Sequence, residues 1–255
     1  MNKGFTLAEV LITLGIVGVV AAMTLPTLVA NHRNKELHTR FKKAYSTLWN
    51  VHQRMINDYG GVYSIFIQKD LDTNGSSPLI AKKYEQIEAF SKYFSGAKIC
   101  DYSDSYLSCS GKSIPATYKT YTGNKDAHLT SDVVTSRAIV TNDGVSFFFG
   151  RTSSRNARIY FDTNGTAKGP NRLGFDLFAF DISSDDKIIF PKNIGGGNAG
   201  AYEDDEELGG TVGAVNACSV SEKANQYNGF GCSEFALIDK SPDNPNISYW
   251  QNLPK

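Results

Sequence analysis

One carboxylate stands where carboxylates are rare. Residues 1–30 read MNKGFTLAEVLITLGIVGVVAAMTLPTLVA, an apolar stretch interrupted near its start by Glu9. A charged side chain near the centre of a bilayer costs about 2.5–3.5 kcal/mol on insertion scales. Such a group is a functional candidate, and its partner has to be named. The chemistry open to Glu9 is electrostatic. A cation held at the same depth would remove much of the penalty each charge suffers alone. From Val10 to Ala30 there is no Lys, Arg, Asp, Glu or His, so the stretch itself does not supply that cation.

The element that must position Glu9 is a helix. Val10 to Ala30 is about 21 residues, or roughly 32 Å as α-helix, against a hydrocarbon core of about 30 Å. A removed secretory signal is one alternative and a plain single-pass anchor is another. The run is longer than a signal's apolar core, lacks a clean A-x-A cleavage site after it, and carries Glu9. Gly15, Gly18, Ala21 and Ala22 are small enough to let helices approach closely, although such residues are also common membrane-helix composition. Pro26 removes one helix hydrogen bond and is expected to distort the helix.

The order Lys3-Gly4-Phe5-Thr6-Leu7-Ala8-Glu9, followed at once by a spanning apolar run, resembles the processing site of type IV prepilins and type II secretion pseudopilins. The resemblance covers about the first thirty residues. It implies cleavage between Gly4 and Phe5 by a membrane prepilin peptidase and methylation of the new amine on Phe5. It makes Glu9 the assembly glutamate and places Pro26 where many members have a helix-distorting proline. The cation for Glu9 is then the new amine of Phe5, from the same chain or a neighbour. The implied partners are prepilin peptidase, other pilin or pseudopilin subunits, an inner-membrane assembly platform and the lipid bilayer. The implied place is the bacterial inner membrane, single-pass, with an extracytoplasmic head that becomes part of a periplasmic or surface filament.

Charge and cysteine usage disagree on orientation. Arg33, Lys35, Arg40, Lys42 and Lys43 follow the span, which by the positive-inside tendency would keep the body in the cytoplasm. The family resemblance implies an outside body, and the cysteines agree. All four, Cys100, Cys109, Cys218 and Cys232, lie beyond the span, and an even count in a large extracytoplasmic domain reads as disulfides. Three connectivities are open; pairing within each sequence-near couple, Cys100–Cys109 and Cys218–Cys232, is favoured. No couple has the C-x2-C spacing of a zinc site and no histidine lies close by, so free thiols are the remaining alternative.

The 255 residues carry a formal net charge of +0, which offers no whole-chain case for nucleic-acid binding. Enzyme chemistry finds no footing either, since nucleophile-elbow, zinc-protease, P-loop and dinucleotide fingerprints are all missing from the sequence. Of the histidines, His32, His38 and His52 fall on the long helix, on faces expected to meet solvent or headgroups. His128 lies between Asp126 and Asp132 in what reads as a surface loop.

Past the span, Leu37, Phe41, Ala44, Leu48, Val51 and Met55 recur at alternating spacings of four and three, an apolar stripe at helix period. One helix from Phe5 to about Tyr59 is expected, ended at Gly60-Gly61. The stripe packs on the chain's own head; a coiled-coil seam between subunits is the lesser alternative, because few full heptads are sustained. A turn-rich stretch follows around Asp70–Gly75. Pro78–Phe94 reads as a second helix with Ile80, Tyr84, Ile87, Phe90 and Phe94 inward. Residues 111–136 read as irregular. Strands are expected at Ala138–Val140, Val145–Phe149, Ala157–Asp162, Leu177–Ile182 and Lys187–Phe190, with Asp143-Gly144 as a hairpin signal and Ser183–Asp186 as a second tight turn. Short turns favour antiparallel neighbours. The fold class is therefore α+β: a long N-terminal helix packed on a four-stranded antiparallel sheet. The expected divisions are a leader at 1–4, a membrane or filament-core helix at 5–30, its amphipathic continuation at 31–59, and a head at 60–255.

Asp162-Thr163-Asn164-Gly165 and, beyond Lys168-Gly169-Pro170-Asn171, Asp176 bring oxygen-bearing side chains together near glycines. Such oxygens can wrap calcium, and major pseudopilins carry a calcium loop in the head. No Glu closes a twelve-residue loop from Asp162, and Asp and Asn favour turns for their own backbone hydrogen bonds. The segment is read as a structural turn with no metal; calcium at Asp162, Asn164 and Asp176 is the lesser alternative. The C-terminal quarter reads as a glycine-rich loop at 195–200, an acidic run at 203–207, a last strand at Phe235–Ile238, and Trp250 packed back on the head. The function these features favour is a structural subunit of a pilus-like or type II secretion filament, not an enzyme. A membrane-tethered binding or adhesin protein that never polymerises is the alternative.

Overall fold

The computed structural model describes residues 4, 6–60, 87–100, 102–103, 106–107, 118–127, 129, 138–151, 157–182, 189–191 and 218–254. The expectations for Phe5, Asp70–Gly75, Cys109, His128, Ser183–Asp186, the glycine-rich loop and the acidic run lie outside the described residues, as does Pro78–Gln86 of the second helix.

Helix α1 runs unbroken from Leu7 to Tyr59 through Pro26. It starts at Thr6, whose side chain accepts from the Glu9 amide while the Glu9 side chain accepts from Thr6. This reciprocal arrangement satisfies amide groups that a helix start otherwise leaves unpaired. The helix ends at Gly60, whose φ of 76° is the left-handed cap that glycine adopts without a Cβ penalty.

Eight short strands follow among the described residues: β1 (Lys98–Cys100), β2 (Tyr102–Ser103), β3 (Tyr106–Leu107), β4 (Ala138–Val140), β5 (Ser146–Arg151), β6 (Ala157–Asp162), β7 (Leu177–Ile182) and β8 (Ile189–Pro191). Six form one sheet in the order β1-β4-β5-β6-β7-β8, and β2 and β3 pair separately. Each of these strand pairings is antiparallel, with Phe147 opposite Phe161 and Phe161 opposite Phe178 in the centre. The α+β layout agrees with expectation, but the described sheet has six strands and not four. The strand missed outright in that sheet is β1, three residues that pair with β4. Three residues are too few to display a period-two pattern, and Cys100 marks them as the start of a loop. Strand β5 also begins one residue later than expected, because Val145 closes the turn by accepting from Thr141.

One sheet face packs on the second half of α1. All six stripe residues are buried, Leu48 and Met55 at 0% exposure, so the stripe serves the chain's own head. Phe41 is the centre of an aromatic cluster, its ring 4.5 Å from Phe178, 5.3 Å from Trp250 and 5.7 Å from Phe161. His52 overturns one expectation: it is fully buried, not facing solvent or headgroups. It lies four residues beyond Leu48, on the edge of the same stripe, and such spacing shares one helix face.

Residues 87–91 are helical, and the chain turns after Ser91 rather than continuing to Phe94. Ile87, Phe90 and Phe94 are nevertheless all buried. At the other end of the chain, Cys232–Ile238 is a helix and not a strand. Its buried residues Cys232, Ser233 and Ala236 share one face at helix spacing. Ser233 Oγ accepts from the Ala179 amide at 3.2 Å and donates to the Ala179 carbonyl at 2.7 Å, fastening this helix to β7. A four-residue apolar run cannot distinguish the two states by periodicity. Trp250 is 2% exposed, donates from Nε1 to the Ala236 carbonyl and lies 5.1 Å from the His38 ring in a parallel stack.

Candidate functional site

The site begins at Thr6-Leu7-Ala8-Glu9. Glu9 Oε2 accepts from the Thr6 amide and the Thr6 hydroxyl, both at 2.8 Å. The four-residue cap T-x-x-E is present in the sequence and gives Glu9 a local structural role beside its electrostatic one. Thus the glutamate is held at the start of the helix, exposed and with its carboxylate oriented.

The surface that follows is unusual for a folded chain. Every large apolar side chain from Leu7 to Val29 is exposed, from 42% at Val10 to 79% at Leu7. The helix is long and apolar enough to cross a membrane, and none of its apolar window is covered by the rest of the molecule. Water does not tolerate so large a contiguous apolar surface. The stretch therefore requires lipid or other apolar helices around it. The α-carbons of Gly15 and Gly18 face open space, which leaves shallow points where another helix could approach closely. Thr13 and Thr24 donate their hydroxyls to carbonyls one turn back, Val10 at 2.9 Å and Val20 at 3.0 Å. Their polarity is thereby met within the helix, as lipid demands.

The cysteines stand as follows. Cys218 and Cys232 form a disulfide with α-carbons 5.1 Å apart. It ties the chain entering the C-terminal region to the first turn of its helix. Cys100 is also disulfide-bonded, and its expected partner Cys109 lies outside the described residues.

The turn after β6 uses its carboxylates on the backbone. Asp162 Oδ1 accepts from the amides of Asn164 and Gly165 at 3.0 and 2.8 Å, and Oδ2 accepts from the Tyr118 hydroxyl at 2.7 Å. Asp176 accepts from the amides of Asn171 and Arg172, both at 2.7 Å. The Asp162 bond to Asn164 is that of an Asx turn, while Asp176 reaches back to amides four and five residues upstream and closes the loop between them. Gly165 sits at φ 82°, and a Cβ there would lie 2.6 Å from the Gly144 carbonyl oxygen, so the turn is seated against the β4–β5 hairpin. The side-chain oxygens of Thr163, Asn164 and Asn171 are buried without a protein partner among the described residues. Burial pushes the Asp162 carboxyl up to about 6 and Asp176 well above the usual carboxylate range, with Asp162 adding to the shift at Asp176.

The three described histidines do not converge: His32 is exposed, His38 stacks on Trp250 and His52 is buried. Among the described residues there is no cluster of His, Cys, Asp and Glu suited to a metal ion.

An oriented glutamate opens an uncovered, membrane-length helix whose second half packs on an antiparallel sheet, an α+β layout of the pilin-like kind. Comparison agrees: residues 1–25 match the family model of the prokaryotic N-terminal methylation motif, the prepilin-type signature of type IV pilins and pseudopilins. The motif indicates a prepilin-peptidase substrate of that kind, and with the long apolar helix it fits a membrane-anchored protein. No curated protein and no solved structure matches the chain.

Proposed function

We propose that the chain is a structural filament subunit, cut between Gly4 and Phe5, methylated on Phe5 and assembled through α1. The observation that carries this reading is the coincidence of two features. The methylation motif occupies residues 1–25, and the apolar half of the helix it opens has no cover within the molecule. In the membrane, lipid would cover that half. In a filament, the same faces of neighbouring helices would take its place, with the heads outside.

Glu9 supplies the register. Before processing, its carboxylate is held by Thr6. Cleavage would create a cationic amine at Phe5, four residues before Glu9 in sequence. A neighbouring subunit could then offer that amine at the depth of Glu9. Pairing two charges removes the penalty of leaving either one alone in an apolar medium. Processing would in this way make the partner that assembly uses. The divisions 1–4, 5–30, 31–59 and 60–255 become leader, filament-core helix, docked helix and head. The expected machinery is prepilin peptidase, an inner-membrane platform and further subunits, in a pilus or a type II secretion pseudopilus.

The test is intact mass and N-terminal sequencing of the protein from a host with its own prepilin peptidase. A mature chain beginning at methylated Phe5 is expected. A chain still starting at Met1, or one cut near Ala22, would refute the reading.

A further inference from the structure

The helix leaves its apolar stretch through a collar of cations. Arg33, Lys35 and Lys42 are exposed and make no ion pair with any described residue. They contrast with Arg40, bridged to Glu36 at 2.8 Å, and Lys43, bridged to Asp143 at 2.7 Å. At 100° per residue the three open cations do not share a face: Arg33 lies beside the sheet, while Lys35 and Lys42 lie about half a turn round the helix, Lys35 still at the edge of the groove beside the β4–β5 hairpin.

The head adds a cation at the same level. Arg33 and Arg172 both sit against the ring of Phe175, their guanidinium carbons 6.0 and 3.9 Å from its centroid. Two like charges are thus held around one aromatic ring, and burial together with Arg33 lowers the Arg172 pKa. The nearby carboxylate of Asp176 is occupied by backbone amides. The arrangement leaves net positive charge to be met from outside. Beside the collar, a groove of about 590 Å³ between α1 and the β4–β5 hairpin is lined by Lys35 and by the paired Arg40–Glu36 and Lys43–Asp143, so Lys35 is the cation in it that no carboxylate among the described residues offsets.

Position identifies the ligand. Arg33 is three residues past Ala30, about 4.5 Å along the helix axis. With residues 7–30 in the hydrocarbon, Arg33, Lys35 and Arg172 stand at the depth of phosphate groups. We propose that this collar is a docking surface for anionic phospholipid headgroups, seating the head on the leaflet from which α1 emerges. The proposal rests on the membrane-spanning reading of α1. Juxtamembrane cations gain about 1 kcal/mol each from an anionic surface, or about five-fold in association. The subunit would then favour anionic lipid while stored, and would have to give up these contacts to leave the membrane.

The test uses the full-length chain reconstituted into vesicles of phosphatidylcholine, with spin-labelled phosphatidylglycerol or spin-labelled phosphatidylcholine as the probe. The wild-type chain is expected to retain the anionic probe several-fold more strongly, with the preference falling as salt is raised. The variant R33Q/K35Q, altered only at exposed positions, is expected to lose most of that preference while still inserting, whereas K42Q, about 18 Å beyond Ala30, is expected to keep it. Equal retention of the two probes, or a preference unchanged in R33Q/K35Q, would overturn the proposal. So would loss of the preference to inorganic phosphate at constant ionic strength, which would assign the collar to a free anion. Failure of the wild-type chain to float with neutral vesicles would instead overturn the spanning reading, and the docking surface with it.

Discussion

Replacing Phe41 by alanine should loosen the head from its helix. Phe41 is 1% exposed, and its ring meets Phe178, Trp250 and Phe161 at centroid separations of 4.5–5.7 Å. Those partners come from β7, the C-terminal segment and β6, so one side chain joins three parts of the head to α1. Truncating a buried phenylalanine costs about 3–5 kcal/mol, part transfer free energy and part cavity. The close aromatic geometry places Phe41 toward the upper end of that range. For a domain of 150–250 residues each kcal/mol shifts Tm by about 2–4 °C, so Phe41→Ala should lower Tm by roughly 6–20 °C. The assay is thermal unfolding of the detergent-solubilised chain followed by near-ultraviolet circular dichroism, which reports aromatic packing. Leu14→Ala is the control, since Leu14 is 63% exposed and touches no core. It should move the head's Tm by less than about 1 °C, within the range of changes away from packed sites. If Phe41→Ala costs less than about 1 kcal/mol, or if Leu14→Ala costs as much, the docking of α1 on the sheet has been misread.

Three further outcomes are expected. Glu9→Ala should leave the protein inserted in the membrane yet block its appearance in filaments, as seen by electron microscopy and shearing; normal filaments from this variant would remove Glu9 from assembly. Replacing Cys218 and Cys232 together by alanine should cost about 3 kcal/mol, as expected for opening a loop of this size; unchanged urea unfolding would mean that the bridge constrains nothing. Asp162 contributes a pH dependence whose sign follows from its raised pKa. Its ordinary value is about 3.9 and burial lifts it to about 6, so its contribution is full below about pH 4 and is lost as pH rises through about 6. Head stability, measured by Tm across that window, should fall with rising pH, and Asp162→Asn should flatten the fall. A steeper dependence in the variant would contradict the assignment.

What can be read from the sequence follows the length of each periodic signal. The stripe from Leu37 to Met55 recurs over several helical turns, and all six of its residues are buried. The hairpin at Asp143-Gly144 and the longer strands carry enough alternation and turn chemistry to be placed. The three-residue β1 and the helix Cys232–Ile238 do not, because so few residues satisfy either period. The near pair Cys218–Cys232 is legible from spacing. The burial of His52 escapes a reading by residue type, which sends histidine to the polar face; its position four residues past Leu48 is the signal. Within the site, Glu9 stands out by its charge alone. Its bond to Thr6 is equally visible as a T-x-x-E cap, but the electrostatic explanation of the glutamate hides it. Arg172 cannot be joined to Arg33 from sequence, since only the fold brings Phe175 between the two elements.

The packing of Trp250 on His38 and Phe41 also orders events in time. A ribosome makes Phe41 more than 200 residues before Trp250. The site on α1 that Trp250 occupies therefore stays vacant while the intervening residues are made. During that interval the apolar stripe from Leu37 onward has no complete partner, although residues 7–30 can already enter a bilayer. Contacts so distant in sequence form slowly, because a long loop must close before they repay its entropy. The newborn chain would wait at the membrane with its helix placed and its head unfinished, and the segment that carries Trp250 would close the core.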